Sequence, residues 1–337
     1  MEIAQLTDDR FEDYFNFIQN DLPPKENIKE RFVHEVLNNP FLIDKKKPNV
    51  LISWNEKKQM VGQLICNPFK IYFKNKLINV SNSYDFIVLK EYRGKGIGSS
   101  IARIAAEKFK PCIVIGVTSN AKKIDLSLGK LIGHVYNFIW VKDFFTIFFA
   151  FLYGLTRGKL SKSKNPENTS LPITIDIDES SFILINLAND FRDYNWDENT
   201  LQFARLKEFL DWRYFSQTGE YYMYILDNSN PQIYFVVRKS IKKGLKIFEL
   251  VDYKIPLNDS KSFKLILNAV KKLTRINNYD GIVTVSTNRF FDDILKQNHF
   301  LKYSRPKLII SNVDVNGNQK NIEKRNFLYA TMIDCPG

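Results

Sequence analysis

Residues 93 to 98 read Arg93-Gly94-Lys95-Gly96-Ile97-Gly98, with Ser99 following. Glycines carry no Cβ, so successive backbone N–H groups can turn toward one point, and a helix that starts there adds the positive end of its dipole. Arg93 and Lys95 bring side-chain charge to the same spot. The chemistry this spacing predicts is capture of a diphosphate. The elements needed to hold it lie on either side: Tyr84 to Leu89 reads as a strand, and the apolar-periodic stretch ending near Phe109 as a helix. A Walker loop is excluded because no Gly-Lys-Ser/Thr closes the run. A dinucleotide-binding loop is disfavoured because several antiparallel-looking strands come first and an arginine opens the motif.

Asp85 is the best-placed acid–base candidate. A carboxylate in an otherwise apolar strand is costly unless it is paired or used. Strand alternation puts it on the face opposite Tyr84, Phe86 and Val88. A proton-accepting role competes with that of a hydrogen-bonded structural carboxylate or an amine anchor. Farther on, Phe209-Leu210-Asp211-Trp212-Arg213-Tyr214-Phe215 sets aromatics around an arginine, after Asn195-Trp196. Flat rings stack on a nucleobase and Arg forks onto phosphate, although Trp212 and Tyr214 would equally suit a core.

The 337 residues suffice for two domains. Apolar content of 44% and charged content of 26% are those of a soluble globular chain, and the net charge of +12 favours polyanionic partners. Cys66, Cys112 and Cys335 are odd in number and far apart, so neither a disulfide framework nor a metal cluster is expected. The chain opens without a secretory pattern, and a reducing cytoplasm is the expected compartment. Phe144 to Leu155 is too short to span a bilayer and reads as a buried helix or strand pair.

Strands are expected near Ile3 and at Val50 to Trp54, Met60 to Cys66 and Cys112 to Thr118, with helices at Asp9 to Asn20 and Asn27 to Asn38. The polar stretch from Arg157 to Pro172 reads as a linker or surface loop. After it come a helix from about Thr200 to Trp212, strands at Tyr221 to Ile225, Ile233 to Arg238 and Leu245 to Val251, a helix from Ser262 to Ile276, and a strand from Gly281 to Ser286. The fold class is α/β (α+β), with mixed, mostly antiparallel sheets flanked by helices, in domains 1–156 and 173–337. Both post-helix strands run into a hydroxyl-hydroxyl-Asn triplet, Thr118-Ser119-Asn120 and Ser286-Thr287-Asn288. This suggests a duplicated unit. The second unit has no glycine in Asp252 to Asp259, so only the first is expected to hold the diphosphate.

Val88 to Gly98 resembles the acetyl-CoA motif of the GNAT acyltransferase superfamily, in detail over residues 1 to 145 and more weakly in the second half. The resemblance implies two GNAT-like domains, acyl-CoA as co-substrate and no metal. Phe86, Ile87 and Val88 would offer backbone groups to pantetheine, with Asn120 beside it. Arg93, Gly94, Lys95, Gly96, Ile97, Gly98 and Ser99 would hold the pyrophosphate, and Lys122 or Lys123 could meet the 3′-phosphate. Asp85 would serve as base. The family's tyrosine after the Asn120 position is missing, which leaves Ser127, Tyr136 or His134 to protonate the leaving thiolate.

The Trp212-Arg213-Tyr214 segment resembles bacterial N-acyltransferases that modify nucleotide-linked amino sugars for O-antigen or capsule. It implies transfer of an acetyl or short hydroxyacyl group, such as 3-hydroxybutanoyl, to a dTDP- or UDP-amino sugar by direct attack. Asn82, Tyr84, Tyr136, Trp212, Arg213 and Tyr214 would bind that acceptor, with no nucleic-acid partner and no stable membrane insertion. The alternatives are a tandem aminoacyltransferase that uses tRNA, a protein or small-amine acetyltransferase, and a catalytically silent CoA-binding module.

Overall fold

A computed structural model describes residues 1–22, 27–118, 121–143, 145–146, 170–188, 191–196, 198–216, 221–313 and 328–334. The first half runs β1 (Glu2–Gln5), α1 (Phe11–Asn20), α2 (Ile28–Phe32) continuing as a π-helical turn (Val33–Leu37), β2 (Val50–Trp54), β3 (Met60–Phe73) and β4 (Lys76–Val88). It continues through α3 (Ile97–Lys108), β5 (Cys112–Val117), α4 (Lys122–Leu128) and β6 (Lys130–Val141). The second half supplies β7 (Thr174–Ile177), β8 (Ser180–Ile185), β9 (Leu201–Phe203), α5 (Lys207–Leu210) with a π-helical turn (Asp211–Phe215), and β10 (Tyr221–Leu226). There follow β11 (Tyr234–Lys242), β12 (Leu245–Lys254), α6 (Ser260–Ile276), β13 (Gly281–Ser286), α7 (Arg289–Gln297), β14 (Leu301–Lys302), β15 (Lys307–Ser311) and β16 (Leu328–Tyr329). Most of the expected linker and all but two residues of the Phe144–Leu155 stretch lie outside the described residues.

One mixed, mostly antiparallel sheet passes through both halves in the order β1-β2-β3-β4-β5-β15-β6-β13-β12-β11-β10-β8-β7. Two strands are exchanged at its centre. β15, from the second half, lies between β5 and β6 of the first. β6 in turn pairs with β15 through Lys130 to Val135 and with β13 through Tyr136 to Val141. Gly129 permits the close approach of β15, since a Cβ there would stand 2.8 Å from the Ser311 carbonyl oxygen.

The helix expected from Thr200 is corrected. Leu201 to Phe203 is a strand, with Gln202 and Phe203 pairing with Tyr72 and Ile71 of β3. All three residues are buried, so tertiary pairing decides the conformation of a segment whose local propensity is ambiguous.

The two halves share a structural irregularity. In β4, Tyr84 faces Ile65 and Ile87 faces Gln63, so Asp85 and Phe86 together stand opposite Leu64. In β12, Leu250 faces Val237 and Asp252 faces Val236, which leaves Val251 extra. Each bulge follows the point where the strand stops pairing with its parallel neighbour, at Ser83/Val114 in the first half and Glu249/Val283 in the second. A bulge inserts one residue, bends the strand and interrupts the ladder. Two V-shaped openings result.

The second opening is filled. Thr284 Oγ1 donates to the Leu250 carbonyl at 2.9 Å and Tyr253 OH to that of Val285 at 3.4 Å. Asp252 is bound by Arg205 Nε at 2.7 Å, Tyr214 OH at 2.7 Å and Tyr234 OH at 3.0 Å, and Arg205 Nη2 reaches Asp334 at 2.6 Å. Arg205 is 1% exposed. Deleting one partner of a buried ionic cluster leaves uncompensated charge behind. Arg205→Met is therefore expected to destabilise the fold by about 3–5 kcal/mol, read as a lowered denaturant midpoint with unchanged slope.

Candidate active site

The bulge re-aims the side chains of β4. Phe86 and Val88 pack on the α3 face of the sheet with Ile97 and Ile101, whereas Tyr84, Ile87 and Leu89 pack on the α1 and α2 face with Tyr14 and Phe32. The expectation that Tyr84 shares a face with Phe86 and Val88 is thus corrected, because the extra residue reverses the alternation. Asp85 takes φ +47°, a left-handed conformation that Asp tolerates better than most residues, and its carbonyl accepts from Gln63 Nε2 at 3.2 Å.

The glycine turn follows at once. Gly94 and Gly96 have φ of +77° and +78°, and a Cβ at either would meet nothing within 4 Å. The need for glycine is conformational, and the space above the turn is open. α3 begins on Gly96 with no side-chain cap and no acidic residue in its first turn. The amides of Ile97, Gly98 and Ser99 precede the first helical bond, from Ser100 N to the Gly96 carbonyl at 3.0 Å. At Gly98 a Cβ would press on the Phe86 ring at 3.3 Å. Arg93 Nε donates to the Val88 carbonyl at 2.8 Å, which ties the turn to the end of β4, and Lys95 Nζ lies 5.0 Å from the centre of the Tyr92 ring. In the second half the corresponding helix, α6, is capped by its own Asp259, whose carboxylate accepts from Ser262 N at 3.0 Å. An internal carboxylate there occupies the place an anion would take.

Between the splayed strands lies a cavity of about 190 Å³. Its walls come from β4 (Ser83 to Phe86), β5 (Val114 to Val117), the alanines 102, 105 and 106 of α3, Asp125 and Leu128 of α4, and Ile310 to Asn312 beside and within β15. The second half thus completes a pocket of the first, pinned where Ser311 Oγ and Asn312 N both donate to the Cys112 carbonyl, at 2.9 and 3.1 Å. Gly116 bulges at φ +84° in β5 and faces this space. On the other face of β4 a smaller chamber of about 80 Å³ is enclosed by α1, α2 and the sheet, with Tyr14, Arg31, Glu35 and Gln63 in its lining. Tyr84 and Asp85 line both spaces.

Several sequence candidates lie elsewhere. Trp212 and Tyr214 are buried core residues: Trp212 Nε1 donates to the His34 carbonyl at 2.8 Å, and Tyr214 OH is spent on Asp252. Arg213 Nη1 pairs with Glu35 at 3.6 Å. This segment therefore clamps the π-helical turn after α2 that walls the small chamber, and it presents no ring for stacking. Asn82 is buried and donates to the Asp334 carbonyl at 3.0 Å. Ser127 Oγ donates to the Ile124 carbonyl at 2.7 Å on its own helix, and His134 and Tyr136 lie on β6 opposite Leu308 and Ser286. None of these three lines the cavity. Lys122 and Lys123 are exposed on α4, Ser99 is exposed in the first turn of α3 at the glycine turn, and Asn120 lies outside the described residues. Among the described residues there is no cluster able to hold a metal, and no helix is long and apolar enough to cross a membrane.

Asp125, which sequence reasoning passed over, is on the cavity wall. It is 8% exposed, and burial alone pushes its carboxyl up to about 6. Its spacing signals nothing by itself, because only the packing of α4 against α3 and β15 brings it inward. A raised carboxyl stabilises the fold below the unfolded value near 4, and that contribution is lost as pH climbs through about 6. Asp125→Asn should therefore gain stability over the parent at pH 8, on the order of 3 kcal/mol, and little at pH 4, as read from thermal midpoints.

No family model and no curated protein matches this sequence. Solved structures resemble its fold. A conserved protein of unknown function from Enterococcus faecalis, described as a probable N-acyltransferase, aligns with TM-score 0.57 at 10% identity over 92% of this chain and 71% of that one. A GCN5-related N-acetyltransferase from Anabaena variabilis aligns with TM-score 0.58 at 12% identity over 92% and 72%. Saccharomyces cerevisiae N-myristoyltransferase with bound myristoyl-CoA aligns with TM-score 0.56 at 12% identity over 92% and 78%. The fold is accordingly that of the GCN5-related N-acetyltransferases.

Proposed function

We propose that this chain is an acyl-CoA-dependent N-acyltransferase that works by direct attack of an amine on the thioester. The observation that carries the reading is the uncapped start of α3 on two left-handed glycines, beside a strand opening whose cavity and opposite chamber meet at Asp85. The acyl-CoA pyrophosphate is placed on the turn and the α3 amides, and pantetheine between β4 and β5. The β4 amides beyond Ser83, which lack a β5 partner, face the thioester carbonyl. The myristoyl-CoA bound to the yeast neighbour supports the same donor class.

The amine enters from the chamber on the α1 and α2 side, and Asp85 takes its proton as it attacks. Residues 1–156 form the cofactor-binding unit, and residues 173–337 complete its cavity through β15. For the acceptor we propose a nucleotide-linked amino sugar. That class is supported by the net charge of +12 and draws nothing from Trp212 or Tyr214, which are enclosed.

The test is thiol release from acetyl-CoA with a panel of dTDP- and UDP-amino sugars, simple amines and peptides. Release that depends on an amino sugar supports the whole reading, release only with peptides removes the sugar, and CoA binding without release removes the transferase. Gly96→Val forces a branched residue into the left-handed region, which costs about 1–2 kcal/mol in the turn alone. We expect CoA affinity to drop at least tenfold, and an unchanged calorimetric Kd would take the turn out of the site. Asp85→Asn should cut kcat by roughly 10²- to 10⁴-fold with unaltered CoA affinity. A normal rate would make Asp85 purely structural.

A further inference from the structure

We propose that Asp125 is the acid that returns a proton to the departing sulfur of CoA. This assignment rests on the acyltransferase reading above. Asp125 belongs to the lining of the 190 Å³ cavity, which Asp85 of β4 also lines. It is more than nine-tenths buried, and no hydrogen-bond donor or cation reaches it among the described residues. On the lining with it are Ala121 at the start of α4, Leu128 of α4, alanines from α3 and Ile310 from β15, together with the uncharged polar Thr118, Ser311 and Asn312. An unpaired carboxylate in such surroundings is expensive, whereas a carboxylic acid is tolerated.

The other ionisable groups on this lining are Tyr84 and Asp85 of β4 and Cys112 of β5. Burial pushes the Tyr84 hydroxyl well up and the Cys112 thiol up to about 11, so both are neutral near pH 7. α3 presents only alanines here, β15 and its end present Ile310, Ser311 and Asn312, and Lys122 and Lys123 of α4 are exposed to solvent. With its carboxyl pushed up to about 6, Asp125 keeps a protonated fraction at neutral pH. Proton transfer from such an acid to a thiolate whose thiol titrates at about 8.5 runs downhill.

The amine nitrogen attacks the thioester carbon, a C–N bond forms, and the N–H proton passes to Asp85. Collapse of the tetrahedral intermediate breaks the C–S bond, the electron pair leaves on sulfur, and sulfur takes the proton of Asp125. Asp85 ends protonated and Asp125 ionised, and each resets by exchange with water once the products leave.

The experiment compares acetyl-CoA with its selenium analogue, acetyl-seleno-CoA, in the wild type and in Asp125→Asn, using the amine from the panel that gives the fastest transfer. A selenolate is a much weaker base and departs without a proton. The variant should lose about 100-fold in kcat with the thioester, regain near-wild-type turnover with the selenoester, and keep its CoA affinity. An equal loss with both donors would overturn the assignment. A second readout needs no acceptor: carbon NMR of the Asp125 carboxyl in the CoA complex should titrate well above the ordinary carboxylate range, and a midpoint near 4 would also overturn it. CoA binding without transfer by the wild type to any amine would remove the acyltransferase reading, and the role of Asp125 with it.

Discussion

One extra residue in β4 sets the geometry on which the rest of the structure depends. A parallel strand pair zips until something breaks its register, and the bulge at Asp85 and Phe86 breaks it. Past that point β4 keeps its bonds to β3 and loses its neighbour in β5. On its other edge β5 is paired with β15. The same slip sends Tyr84 to one face and Phe86 to the other, so the strand addresses two spaces at once. The glycine turn then falls at the mouth of the gap because it is the continuation of the bent strand.

The second half builds the same opening and uses it differently. Its bulge at Val251 is followed by Asp252, an aspartate at nearly the place Asp85 holds in β4, yet Asp252 is enclosed by Arg205, Tyr214 and Tyr234. Hydroxyl groups bridge strand to strand, and the helix that follows is capped by its own carboxylate. The second opening is thus a core with an ionic centre. In exchange the half lends β15 to the first, so that the cavity wall and the sheet are finished by residues about 200 positions away in sequence.

Three aspartates, two buried and one half-buried, illustrate how environment separates carboxylates of one type. Asp252 is fully paired, and its network serves the fold. Asp125 faces alanine and leucine, with burial alone acting on its carboxyl. Asp85 lies where two chambers meet. Residue type is the same in all three, and only the packing around each sets them apart.

The sequence by itself determined the glycine turn, the strand before it, the helix after it and the second-half strands β10 to β13, because these rest on local steric and periodic rules. Gly94 and Gly96 are required by backbone angles that few other residues adopt, so their meaning is local and legible. The Leu201–Phe203 strand, the exchange of β6 and β15, and the burial of Trp212 and Tyr214 were decided only in three dimensions, since each depends on pairing or packing between distant segments. A one-residue slip leaves no mark in composition, and so the reversal of faces at Asp85 was invisible to alternation. Asp125 was hidden for the same reason: a carboxylate on a short helix reads as solvated until the second half's strand closes over it.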